Sequence, residues 1–229
     1  MPLPTRIPRV SRSLAREHIH SHLESWIVEG SLRPEEVLND KEIASAFGVS
    51  RMPVREALRS LEDRGFIETA LNRWTRVSPL RPEKAQHLYQ IVSTLEEAAM
   101  RAAFPRFTTA EFARLKQALS DLEDAIALGN AVEATRADGA FHSVWIERAD
   151  NPELAQIVSE CRTKLMRIEL AFFESAVDRQ RSCSEHLRIL SALERKDIAA
   201  ALSELSSHWS SSVERCLARM RSPDKREKG

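Results

Sequence analysis

At 229 residues the chain is long enough for two domains that each bury a core. Its 34 basic and 34 acidic residues cancel, which excludes a global field drawing it to nucleic acid or to an anionic surface. Any such affinity must come from local clustering. No apolar run is long enough to cross a bilayer, and the Pro- and Arg-rich start lacks the apolar centre of a signal peptide. Cys161, Cys183 and Cys216 stand far apart without a C-x-x-C pair, which predicts reduced thiols in a cytoplasmic protein with no membrane partner. Six glycines against abundant Ala, Leu, Glu and Arg predict an almost wholly helical chain.

In chain order, residues 1–11 carry three prolines and read as a mobile, solvated tail. A first helix is expected over about 14–29, with Ile19, Leu23, Trp26 and Ile27 inward and Gly30 at its end. His18 and His22 are four apart on it, a metal-compatible spacing, but no acid or cysteine completes a ligand set. Asn39 with Glu42 reads as a capping box opening a short helix lined by Ile43, Ala44 and Phe47. Gly48 supplies a left-handed break, Val49 plugs the corner, and Ser50 caps a second helix that tolerates Pro53 in its first turn. Val54, Ala57, Leu58 and Leu61 face inward, while Arg51, Arg55 and Arg59 share another face.

A row of arginines is often only a solvated face. Here Gly65 ends the helix, and 66–69 and 75–77 read as strands around Leu71, Asn72, Arg73 and Trp74. That order predicts a winged helix-turn-helix over 12–79. Its candidate DNA contacts are Lys41, Ser50, Arg51, Met52, Pro53, Arg55 and Arg59, with Asn72, Arg73 and Arg76 on or beside the wing. Phosphates would be met by Arg51, Arg55 and the wing, and bases by the start of the second helix.

Residues 78–82 form a linker with two prolines, and helix then follows helix. The predicted series runs from Glu83 to about Phe104, from Thr108 to Gly129, from Asn130, from Asn151-Pro152, from Ser182 with Glu185, and from Asp197 to about Arg221. This is a six-helix antiparallel bundle over 80–221, followed by a solvated tail over 222–229. Within it Asp138 and His142 lie one turn apart, and His186 and His208 fall on the fifth and sixth bundle helices. Bundles assemble metal sites from such pairs, and one carboxylate with three imidazoles suits Zn²⁺, Ni²⁺ or Mn²⁺. From spacing alone, ordinary surface or hydrogen-bonded histidines are the better reading.

The segment GVSRMPVREAL (48–58) is similar, almost letter for letter, to the GVSRTPVREAL of the GntR family of bacterial transcription regulators. The resemblance spans roughly 12–79 and implies their DNA-binding domain. Glu35 stands where the family usually has Gly, Met52 where it has Thr, and Trp74 where the wing usually has Gly. The stretch DGAFH (138–142), Asn151-Pro152, and SCSEHLRILSALERKDIAAAL (182–202) followed by His208 resemble the helical FCD domain of one large GntR subfamily, over about 83–220. That resemblance implies a divalent metal on Asp138, His142, His186 and His208, with a small organic acid as effector against it. The family's Y-x-x-R-x-x-L-E is matched by Tyr89, Leu95 and Glu96, but Val92 takes the Arg position. Another cation, with Arg162 the candidate, a less acidic effector, or a bundle kept only for dimerisation would each accommodate that change.

The expectation is a non-enzymatic transcription regulator, a repressor that binds a two-fold operator as a homodimer and responds to an effector. The competing readings are a metal-dependent bundle hydrolase, against which no general base accompanies the ligands, and a DNA-binding protein with a purely structural metal.

Overall fold

The computed structural model describes residues 12–71, 73–172 and 176–221. The expected tails, 1–11 and 222–229, and the wing candidate Asn72 lie outside these residues. The chain divides into two compact units between Pro79 and Leu80.

In the first unit, α1 (Arg12–Val28), α2 (Asp40–Phe47) and α3 (Arg51–Asp63) precede the hairpin β1 (Ile67–Ala70) and β2 (Trp74–Val77). Burial follows the sequence periodicity: Ile19, Leu23 and Ile27 of α1 are buried with Val54, Ala57, Leu58 and Leu61 of α3, and Phe66, Ile67 and Val77 close the core. Trp26 departs from the expected inner face. It stays 37% exposed, with its ring 5.8 Å from that of Phe47 and 5.9 Å from that of His22. His22 donates from Nδ1 to the His18 carbonyl one turn back, at 2.9 Å.

The caps explain why α2 and α3 form where they do. Asn39 accepts from the Lys41 N–H and donates to Glu42 Oε1, so the two side chains meet each other in place of a reciprocal box. Gly48 sits at φ 65°, the left-handed conformation that ends α2 and turns the chain into α3. Ser50 is extended at the start of α3 but makes no side-chain cap bond. In the hairpin Ile67 pairs with Val77 and Ala70 with Trp74, and a bridge from Val37 to Arg76 extends it.

In the second unit, α4 (Pro82–Ala103), α5 (Thr109–Ala127), α6 (Ala131–Arg148), α7 (Pro152–Phe172), α8 (Ala176–Glu194) and α9 (Ile198–Arg221) form the bundle, with one 3₁₀ turn at Phe104–Arg106. Thr108 and Glu111 make the expected capping box. Asn130, Asn151 and Asp197 each accept a backbone N–H three residues on. The expected start at Ser182 is corrected, because α8 already runs from Ala176. The S-x-x-E pattern there is not a cap: Ser182 donates to Asp138 and Glu185 accepts from Arg215, both across the bundle. Phe141, Trp145, Leu115, Met100, Leu165, Ile189 and Leu193 fill the core that surrounds those polar groups.

Glu35 has φ 67°, a conformation that costs an L-residue about 1–2 kcal/mol and costs glycine little. Glu35→Gly and Glu35→Ala both remove the carboxylate, so their difference isolates the backbone. Glu35→Gly should be the more stable by about 1 kcal/mol after the greater freedom of unfolded glycine is allowed for. Equal unfolding free energies in denaturant titrations would refute that reading of the backbone.

Candidate metal centre and nucleic-acid interface

On the first unit, α3 presents Arg51, Met52, Arg55 and Arg59 to solvent, Met52 being 63% exposed. A cleft of about 800 Å³ between α3 and the hairpin is lined by these four and by Arg73. Arg51 Nη2 donates to both oxygens of Asp40, at 2.9 Å each, and Arg55 Nε lies 4.0 Å from the same carboxylate. Asp40 thus fixes the first arginine of the row from the start of α2, a role its sequence position did not reveal. Lys41 and Ser50 are exposed and Pro53 half-buried, and none of the three lines the cleft. Arg76 is also held apart from it: its guanidinium stacks 4.1 Å from the Trp74 ring and pairs with Glu68 (3.3 Å) and Glu35 (3.5 Å).

Inside the bundle, the structure brings Asp138, His142, His186 and His208 together, with one donor atom of each within 4.8 Å of all the others. α6 contributes the first two from adjacent turns, α8 and α9 one each. His142 Nε2 stands 3.0 Å from His186 Nε2, which lies 3.5 Å from Asp138 Oδ1. The three imidazoles are buried against Phe141, Trp145 and Trp209, whose rings come within 4.5–5.0 Å of them.

A second layer of carboxylates orients the rings. His142 Nδ1 donates to Glu96 Oε2 at 2.5 Å, and His208 Nδ1 donates to Glu185 Oε2 at 2.9 Å. Each bond fixes the tautomer and leaves Nε2 as a bare lone pair facing the cluster. Glu185 points away from His186, as its adjacency in sequence implies, but reaches His208 on the next helix. Arg162 donates to Glu96 Oε1 (2.9 Å) and Asp138 Oδ2 (3.0 Å), so it neutralises the cluster's own acids. Sequence reasoning missed the parts of Glu96 and Glu185, whose partners lie 46 and 23 residues away.

Burial pushes the His142 and His186 pKa values down, His186 well below 6.5, so both rings are neutral at neutral pH. Burial opposes ionisation of Asp138, but His186, His142 and Arg162 together hold its carboxyl below the usual range. Glu185 is drawn down to about 2 against its own burial by bonds to His208 and Arg215. Glu169 goes the other way: burial, then Asp138, push it up to about 7.

The donor set fits a divalent first-row ion. It offers neutral imidazoles with converging lone pairs and an ionised carboxylate. His186 Nδ1 is buried and finds no hydrogen-bond partner among the described residues, as though its opposite nitrogen were the one meant to bond.

Comparison with known proteins decides the family. Residues 15–77 match the bacterial regulatory proteins of the gntR family, and residues 87–211 match the FCD domain. The chain belongs to the GntR family, in its FCD-bearing branch. The Nta operon transcriptional regulator of Aminobacter aminovorans is 32% identical over 80% of the chain and 87% of its own length. The transcriptional repressor RspR of Escherichia coli K12 is 26% identical over 84% of each. The crystal structure of a GntR regulator from Rhodococcus sp. RHA1 has the same fold, with a TM-score of 0.80 over 91% of this chain and 99% of that one, at 21% identity. This GntR protein is therefore a DNA-binding transcription regulator and not an enzyme, which sets aside the hydrolase reading.

The buried histidines generate a pH prediction for protein stripped of metal by a chelator. Because His142 and His186 titrate lower folded than unfolded, the unfolded chain takes up protons first below about 6.5. Their contribution is therefore full above that pH and declines as pH falls toward 5. Glu169 titrates higher folded than unfolded and acts in the opposite sense between about 7 and 4.3. Denaturant titrations at pH 7.5, 6.5 and 5.5 should show stability falling with pH, more steeply in Glu169→Gln. A rise in both proteins would contradict this assignment.

Proposed function

We propose that this GntR protein is a cytoplasmic repressor that binds a two-fold operator as a homodimer. Residues 12–79 meet the DNA, and residues 80–221 dimerise and carry the effector site. A divalent ion, Zn²⁺, Ni²⁺ or Mn²⁺, sits on Asp138, His142, His186 and His208, and a small organic acid completes its coordination. The observation that carries this reading is the convergence of those four donors from three helices inside the bundle. The repressor sense is supported by the name of its relative RspR, and the cytoplasmic placement is compatible with there being no described helix long and apolar enough to cross a membrane.

On the DNA side, Arg51, Met52, Arg55, Arg59 and Arg73 line one cleft and form the reading surface, and Lys41, Ser50, Pro53 and Asn72 are further candidate contacts. Arg76 braces the wing, from which a phosphate could still be met. Inside the bundle, the ion offers a carboxylate-bearing effector a Lewis-acidic anchor. The chain's own groups prepare that place: Glu96 and Glu185 fix two rings, and Arg162 holds Asp138 ionised. An effector that binds one dimer arrangement better than another shifts the spacing of the two reading heads and so the operator affinity.

The test is a fluorescence-anisotropy titration of operator DNA with full-length protein at fixed moderate salt. Arg51→Ala should cost on the order of 1–3 kcal/mol if the side chain reads a base bidentately, and Arg51→Ala with Arg55→Ala should weaken binding further. Normal operator affinity in the double variant would overturn the assignment of α3.

A further inference from the structure

Beside the four clustered donors lies a cavity of about 50 Å³, whose walls include Asp138, Glu169, Ser182, His208 and Trp209. That is room for roughly four water-sized positions, so its occupant is a molecule of a few carbon atoms. A larger groove between α6 and α7 shares Glu169 and Trp209 with it. The Trp209 indole N–H is buried and has no hydrogen-bond partner among the described residues, which leaves a donor unmet in the cavity wall.

The charges around this cavity are not matched evenly. Asp138 has Arg162, and Asp178 has Arg219. Arg215 is bound to both oxygens of Glu185, and Arg179 is not free either. Among the described residues, Glu169 has only the Tyr89 hydroxyl as a hydrogen-bond partner, which donates to Oε1 at 3.2 Å. Three carboxylates (Asp138, Glu96 and Glu169) thus face a single guanidinium, that of Arg162. With all three carboxylates ionised, a divalent ion brings this group to neutrality, and an effector that is purely anionic unbalances it again. In a buried site an added charge is tolerated only if something pairs with it.

We propose that the effector is a small zwitterion, an amino acid or short aminoalkanoate. Its carboxylate lies against the ion and its ammonium against Glu169. The inference rests on the effector-site reading above and narrows it. The ammonium gives Glu169 the cation it lacks and keeps the loaded site neutral. A dicarboxylate of the same length sets a second anion where Glu169 already is, and like charges at close range disfavour both.

The experiment uses full-length protein loaded with Ni²⁺ or Zn²⁺, with metal content measured before and after titration. Calorimetry and melting curves are recorded with 3-aminopropanoate against malonate and with 4-aminobutanoate against succinate. Glycine and propanoate complete the series. At least one aminoalkanoate should bind tenfold or more tighter than its matching dicarboxylate. Glu169→Gln, which keeps an acceptor for Tyr89, should erase that difference at unchanged metal content. Dicarboxylates binding as well or better, a preference that survives Glu169→Gln, or no response to any probe in metal-loaded protein each overturn the proposal while leaving the metal site standing. Protein that takes up no metal overturns the metal site and this inference together.

Discussion

Three histidines, two glutamates, an aspartate and two arginines lie within the interior of one helical bundle, and the rest of the second unit is arranged so that this is tolerable. Breaking a buried ion pair by removing one partner costs about 3–5 kcal/mol, because the other charge is left uncompensated. Here Glu96 receives His142 and Arg162, Asp138 receives Arg162 and Ser182, and Glu185 receives His208 and Arg215. These bonds run between α4, α6, α7, α8 and α9, so they also fix how those helices face one another. The core of Phe141, Trp145, Leu165 and Leu193 supplies the low dielectric that makes each bond strong and each missing partner costly.

The DNA-binding unit works on a different physical footing. Its polar contacts are at the surface, where an ion pair contributes about 0–1 kcal/mol, so Asp40 is better seen as orienting Arg51 than as holding the fold. What holds that fold is the apolar face shared by α1 and α3 and closed by Phe66 and Val77. Arg76, stacked on Trp74 and paired with Glu68 and Glu35, ties the hairpin to the segment before α2. Glu35 and Trp74 are two of the three positions where the sequence departs from the familiar GntR pattern, and both contact Arg76. The departures at the wing base thus belong to one local cluster.

The helix-turn-helix was legible because its signals are local: a capping Asn39, a left-handed Gly48, and inward residues at three- and four-residue spacing. The helical character of the bundle was legible from the same kind of signal at Thr108, Asn130, Asn151 and Asp197. The early start of α8 was not, because Ser182 and Glu185 reproduce a capping pattern while bonding to residues on other helices. The four clustered donors stood out through Asp138 and His142 on one face, but their spacing alone favoured the ordinary reading. Glu96, Glu185 and Glu169 could not be assigned from sequence, since their partners lie many residues away. Arg162, the candidate cation for the effector, is bonded to Glu96 and Asp138.

The central claim is that Asp138, His142, His186 and His208 hold one divalent ion. It is tested most directly by metal analysis and melting of untagged full-length protein beside a His142→Ala/His186→Ala variant. An ion that binds the folded chain better than the unfolded one stabilises it by mass action. Wild-type protein should carry about one ion per chain and melt at a higher temperature with added Zn²⁺ or Ni²⁺, and the variant should show neither. Equal, near-zero metal in both proteins, with melting unchanged by added ion, would contradict it.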